Sequence, residues 1–187
     1  MVSLKIITGG QSGVDRAALD VANELAIAYG GWCPRSGWAE DLTDPPGLLS
    51  QYPLLRETPL SDPAQRTQWN LRDSDAVLII TPADGLAASK GTALAQDIAE
   101  RDGKPLLMVG LDDPDAVPRT RQWLDGLLRD RDPNRLLALG IGGPRESEAP
   151  GIYQRAVAFL RAVLARTQPF PASGGGKGRG LLRGPAM

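Results

Sequence analysis

The 187-residue chain contains no histidine. That absence removes Ser-His-Asp and Cys-His nucleophilic sites, histidine acid–base chemistry and nearly all zinc catalysis. Any chemistry has to come from carboxylates, Arg, Lys, Tyr or a bound cofactor. Cysteine is almost missing as well: Cys33 stands alone, so no internal disulfide can form and a reducing compartment is expected. With no histidine to activate it, Cys33 reads as a small buried residue rather than a nucleophile. No stretch approaches the roughly 18 to 20 apolar residues of a membrane span. The start, Met1-Val2-Ser3-Leu4-Lys5, lacks the charged and apolar regions of a signal peptide. A cytoplasmic location and no membrane partner are therefore expected. There is no basic excess either. The formal charge is −1, and the charges of the final segment, Lys177, Arg179 and Arg183, are all positive, which leaves the body mildly acidic. Nucleic acid is disfavoured as a partner, because such binding needs a basic face that releases counterions. A small basic pocket remains compatible with this balance.

What is present is ordinary for a globular chain, with 42% hydrophobic and 23% charged residues. The length suits one core and one main site, placed here in a domain over residues 1–166. The tail, residues 167–187, runs through Pro171-Ala172-Ser173-Gly174-Gly175-Gly176-Lys177 and has too few apolar residues to pack, so it is expected to be disordered.

Along the chain, Leu4 to Thr8 is an apolar strand that stops at a glycine pair, and apolar residues at helical spacing follow from Val14 to Ala28. Gly30 and Gly31 are expected to end that helix, with Trp32-Cys33-Pro34 a short strand. Arg35 to about Pro63 is rich in Pro, Gly, Asp and Ser and reads as a loop covering the site. Further elements are a helix over Gln65–Asp73, a buried strand Ala76–Thr81 leading to an Asp84-Gly85 turn, and a helix Gly91–Arg101. A strand Leu106–Val109, a helix from Pro118 to about Leu128, a strand Arg135–Leu139 and a helix Pro150–Ala165 complete the pattern. Strands alternating with helices predict an α/β fold: a parallel sheet with helices on both faces, binding its ligand at the carboxyl ends of the strands.

Three glycine-rich turns fall at that edge. In Thr8-Gly9-Gly10-Gln11-Ser12-Gly13-Val14-Asp15, glycines let the backbone approach a ligand, and free amides at the helix start favour an anion such as phosphate. The spacing matches neither G-x-G-x-x-G nor the Walker P-loop, and a purely structural turn capped by Asp15 or Ser12 is the other reading. Lys90-Gly91-Thr92-Ala93 is a second small-residue helix start, able to cradle phosphate or simply to cap a helix. Gly142-Gly143-Pro144-Arg145-Glu146-Ser147 is the third, where Arg145 suits bidentate phosphate or carboxylate recognition, or a salt bridge with Glu146 or Glu148. In the long loop, Arg35 precedes the carboxylates Glu40 and Asp41, which could act as acid and base or hold magnesium, or be solvated loop charges. No metal ligand set is assigned. Arg66-Thr67-Gln68-Trp69-Asn70 offers a cation, an aromatic face and an amide, suited to a base or sugar or to helix packing.

Together these residues resemble the circularly permuted YpsA-type branch of the SLOG superfamily, a group also labelled molybdenum carrier proteins. The likeness spans residues 4 to 165. It rests on Thr8 to Asp20, Cys33-Pro34-Arg35 with Ala39-Glu40-Asp41, Tyr52-Pro53-Leu54, Arg66-Thr67 with Asn70, Asp73-Ser74-Asp75, Gly91-Thr92, and Gly143 to Ser147 through Pro150-Gly151-Ile152-Tyr153. In unpermuted relatives such as YpsA and DprA the Gly-x-Arg-like turn comes first in the chain; here Gly143-Pro144-Arg145 comes last. Permutation preserves spatial neighbours, so the resemblance implies that Arg145 lies beside Gly9–Asp15.

The resemblance also implies a Rossmann-like fold that binds nucleotides or nucleotide-derived ligands. It assigns the ligand to Gly9, Gly10, Gln11, Ser12, Gly13, Arg16, Arg35, Arg66, Asn70, Gly91, Thr92, Gly143, Pro144, Arg145 and Glu146. Related LOG enzymes cleave a nucleotide N-glycosidic bond with a glutamate soon after a Gly-Thr turn. Here Ala93-Leu94-Ala95 follows Thr92 and the first carboxylate is Asp97, so in an enzymatic version the catalytic role falls to Asp15 or Glu40. A sensor, a weak N-glycosidase and a carrier of molybdenum cofactor are the functions this implies. The last would take the cofactor as cargo. Single-stranded DNA binding, by analogy with DprA, is disfavoured by the acidic body. A homodimer is compatible with the many Leu and Trp residues.

Overall fold

The computed structural model describes residues 4–83, 89–129, 131–132 and 135–165. The Asp84-Gly85 turn and the tail from residue 167 lie outside the described residues. In chain order the elements are β1 (Leu4–Ile7), α1 (Val14–Glu24), β2 (Ala28–Cys33), β3 (Leu55–Glu57), α2 (Pro63–Arg72), β4 (Ala76–Thr81), α3 (Lys90–Arg101), β5 (Leu106–Gly110), α4 (Ala116–Arg129), β6 (Leu137–Gly142) and α5 (Ile152–Leu164). The strands form one parallel sheet in the order β3-β2-β1-β6-β4-β5, the expected Rossmann-like α/β architecture.

Strand alternation divides the core. Leu4, Ile6, Leu78, Ile80, Leu137, Leu139 and Ile141 face α1 and α5 in the larger cluster. Val77 and Ile79 point the other way, into a smaller cluster with Leu71 of α2 and Ile98 and Ala99 of α3. β4 is buried along its whole length, as its unbroken apolar run requires between two helical layers.

Helix starts follow side-chain chemistry. Asp62 Oδ1 accepts from Ala64 N at 2.8 Å and Pro63 occupies the first turn, which starts α2 two residues before the expected Gln65. Ser89 Oγ accepts from Thr92 N at 3.3 Å and starts α3.

Three expectations require correction. α1 ends at Glu24, well before Gly30 and Gly31. Ala26 takes a left-handed φ of 52°, Ala26 N donates to Asn23 O at 3.2 Å, and Ile27 N donates to Ala22 O at 2.8 Å. This is a Schellman cap with alanine where glycine is usual, so the glycine signal pointed to the wrong place. Gly30 and Gly31 lie inside β2 instead; a Cβ on Gly31 would sit 2.2 Å from Thr8 O. Secondly, β6 starts two residues later than the expected Arg135 and ends three residues beyond the expected Leu139, because Gly140 and Gly142 continue the strand. Thirdly, the segment from Arg35 to Pro63 is no lid. It contains two short 3-10 turns and β3, and buries Ala39, Leu48, Tyr52 and Leu55 in the core beside the first glycine turn.

Candidate functional site

The site lies where the chain reverses its direction of travel across the sheet. From β1 it proceeds to β2 and β3 on one side; from β4 it proceeds to β5 on the other, and β6 returns between β1 and β4. On one face of the sheet α2 packs chiefly against β2, and α3 against β4 and β5, while α1 is the helix that packs on β1 and β6. A cavity of about 610 Å³ opens between α2 and α3, and Gly9, Gly91 and Gly143, one from each glycine-rich turn, line it.

Arg66 dominates the polar side. Its Nη1 donates to Asp15 Oδ2 at 2.9 Å; Asp15 is buried and Arg66 largely so. A Cβ on Gly9 would stand 2.3 Å from Arg66 Nη1, so only glycine lets the guanidinium lie this close to the turn. Burial pushes the Asp15 carboxyl above its ordinary range, while Arg66 and the Gln11 backbone pull it back. Arg66 Nε and Thr92 Oγ1 are buried with no hydrogen-bond partner, and both residues line the cavity. A buried polar atom left unpaired is costly, and groups of this kind mark places where a ligand supplies the missing partner.

The last glycine turn meets the first as the permuted order implies. Val14 N donates to Pro144 O at 3.3 Å, and a Cβ on Gly13 would lie 2.4 Å from that oxygen. Glu146 N donates to Ser12 Oγ at 3.2 Å. The Arg145 guanidinium lies 6.0 Å from the centre of the Trp38 ring and pairs with neither Glu146 nor Glu148. Glu146 instead accepts from Gly151 N and Tyr153 N at the start of α5, and Glu148 accepts from Arg145 N.

Of the residues assigned from sequence, Gly9, Gln11, Asp15, Arg66, Asn70, Gly91, Thr92, Gly143 and Arg145 reach the cavity wall. Most of the others hold the wall in place from behind. Gly10 packs under Leu55, Leu19 and Leu48. Arg16 forms a two-pronged pair with Asp41 at 3.0 and 3.1 Å and donates to Gly10 O, fastening the 35–50 segment to the first turn. Glu40 accepts from Ser12 Oγ, from Ser147 N and from Ser147 Oγ. Its partial burial raises its pKa, but those hydrogen bonds and nearby Arg145 outweigh that and hold it below the usual carboxylate range. Arg35 lies on a separate open groove with Trp38 and Pro45. Asn70 reaches the cavity, yet its amide is tied to the backbone of Trp32 by two hydrogen bonds of 2.7 and 2.9 Å.

Sequence reasoning missed the floor of the site. β6 reads Leu137-Ala138-Leu139-Gly140-Ile141-Gly142, large and small residues in strict alternation. Its large side chains enter the main core, and its glycines face the cavity. That alternation was the available signal, since a strand with one empty face needs something other than protein to cover it.

The sheet order and the composite crevice define a Rossmann-like parallel α/β protein with a cavity at its strand switch point. Residues 6–164 match the model of the circularly permutated YpsA SLOG family, and the chain belongs to that family. A crystal structure of a "putative molybdenum carrier protein" from Syntrophus aciditrophicus SB shares 36% sequence identity with it. The match covers 87% of this chain and 96% of that one, with a TM-score of 0.73. A comparison with curated proteins finds no match.

Proposed function

We propose that this protein binds a nucleotide or a nucleotide-like phosphate ester in the cavity between α2 and α3. The unpaired Arg66 Nε and Thr92 Oγ1, on residues that line one cavity where three glycine turns converge, carry this reading. An anion there meets a guanidinium, a hydroxyl and the amide-rich starts of α1 and α3. Binding without hydrolysis fits better than N-glycosidase action, because Asp15 is held by Arg66 and Glu40 by Ser12 and Ser147. Titration with a panel of nucleoside phosphates, with free base assayed by chromatography, tests this. Saturable binding and no base release is the expected result; no binding of any phosphate ester overturns it.

A second reading, carriage of molybdenum cofactor as cargo, is favoured by the name of the 36% identical neighbour. The cofactor is a pterin bearing a phosphate, and the same turns would hold that phosphate. Transfer of cofactor from the loaded protein to an apo-molybdoenzyme distinguishes it from nucleotide binding.

A further inference from the structure

Below its polar rim the cavity continues down the face of the sheet. Ile7, Gly140 and Val77 are register partners on neighbouring strands, so they form one layer, and Gly142 with Ile79 forms the layer above. Two residues along a strand span roughly 6–7 Å. The recess is therefore about as deep as a six-membered ring with its substituents. Its walls are apolar: buried Leu71 from α2, and partly buried Leu94 and Ala95 from the second turn of α3. A Cβ on Gly140 would lie 2.7 Å from Ser74 Oγ, and that contact closes the floor.

The polar groups of this recess are already engaged within the protein. Asn70 gives both ends of its amide to Trp32, Ser74 Oγ donates to Asn70 O at 2.7 Å, and Thr67 Oγ1 donates to Pro63 O at 3.1 Å. The unpaired atoms on cavity-lining residues, Arg66 Nε, Thr92 Oγ1 and Thr8 Oγ1 just past the end of β1, belong to the rim. A ring buried here gains apolar contact on its faces, while any donor or acceptor pushed against these walls loses its water without replacement.

From this asymmetry we infer that the recess holds the ring of the phosphate-bearing ligand by its size and its faces and does not read the hydrogen-bonding edge of that ring. The ring enters between Leu71 and Leu94, its phosphate stays at the rim with Arg66 and Thr92, and its polar edge remains toward the open mouth. The ligand class is then a phosphorylated ring compound with broad tolerance for ring identity. This rests on the phosphate-site reading above and extends it to specificity.

Calorimetric titration of the full chain with ribose 5-phosphate and with adenosine, guanosine, inosine, cytidine and uridine 5′-monophosphates tests it. The purine nucleotides are expected to bind within about tenfold of one another, since no hydrogen-bonding site discriminates among them. Ribose 5-phosphate is expected to bind at least about tenfold more weakly, having no ring to bury. Ala95→Phe, which fills the recess, should bring the purine nucleotides down to the level of ribose 5-phosphate and leave ribose 5-phosphate unchanged. A preference of about a hundredfold or more between two purines would show that the edge is read and would overturn the inference. Equal affinity for ribose 5-phosphate and the nucleotides would overturn it too, while leaving the phosphate site standing. Failure of every phosphate ester, ribose 5-phosphate included, would overturn both. The wild-type series decides the matter even if Ala95→Phe does not fold.

Discussion

Arg66 holds Asp15 at 2.9 Å and at the same time lies across Gly9, so one guanidinium joins the start of α1, the turn after β1 and the wall formed by α2. The pair is both a structural tie and the electrostatic centre of the cavity. Removing one partner leaves the other buried and uncompensated.

Arg66→Met is expected to destabilise the protein by about 3 kcal/mol near neutral pH, the scale for breaking a buried pair from one side. Asp15 already has a raised pKa in the folded state, and losing Arg66 raises it further. A raised carboxyl binds its proton in the folded chain first, so stability falls as pH rises through the window above its ordinary value of 3.8. The penalty should therefore shrink on acidification. Urea denaturation of the variant and wild type at pH 7 and pH 4.5 checks this; an equal penalty at both would contradict it.

Thr92→Val separates binding from folding. Thr92 Oγ1 has no protein partner, so replacing it with a methyl of similar shape should change stability by less than about 0.5 kcal/mol. Phosphate-ester affinity should fall about tenfold, the worth of one hydrogen bond to a charged group. Melting temperature and calorimetric affinity, measured on the same preparation, give both numbers. A large loss of stability with unchanged affinity would place the hydroxyl in a structural role.

Ala26→Gly should stabilise the protein by about 0.5–1 kcal/mol. Alanine at a φ of 52° carries a left-handed penalty that glycine lacks, partly offset by the greater freedom of glycine in the unfolded chain. Thermal unfolding reads the change directly, and a destabilised variant would refute this account of the α1 cap.

Glu40 supplies a pH dependence of the opposite sign to Asp15. Its pKa is lowered in the folded state, so its contribution is fully present above the ordinary 4.5 and is lost as pH falls through the folded value. Glu40→Gln should therefore flatten the acid side of the melting-temperature profile and loosen the 35–50 segment. Hydrogen exchange of the amides around Ala39 and Ser147, compared with wild type, reports the second effect. Identical acid limbs in the two proteins would count against it.

Elements with a local signal were legible in the chain. β4 has the expected bounds because Ala76–Thr81 is an unbroken apolar run, and the glycine turns mark where α1 and β1 meet. The end of α1 was not legible, because Ala26 performs a task that chain chemistry normally gives to glycine. Nor was the ordered packing of residues 35–63, since Leu48, Tyr52 and Leu55 are spaced irregularly and find their burial against Gly10, α1 and β2. Asn70 was picked out as a polar residue within helical reach of Arg66. That its amide would be tied to Trp32, 38 positions away, depended on how α2 docks on β2.

By itself, the sequence determined the alternation of strands and helices, the three glycine-rich turns and the absence of histidine chemistry, since periodicity, backbone freedom and residue type are local properties. Only the tertiary structure decided that Gly9, Gly91 and Gly143 share one cavity, that Arg66 grips Asp15 while its Nε and Thr92 Oγ1 stay unpaired, and that Gly140 and Gly142 open a recess beneath them. Those relations join residues 50 to more than 130 positions apart. They arise from packing and strand register; the large–small alternation of β6 marks a strand with one bare face but not which helices wall it.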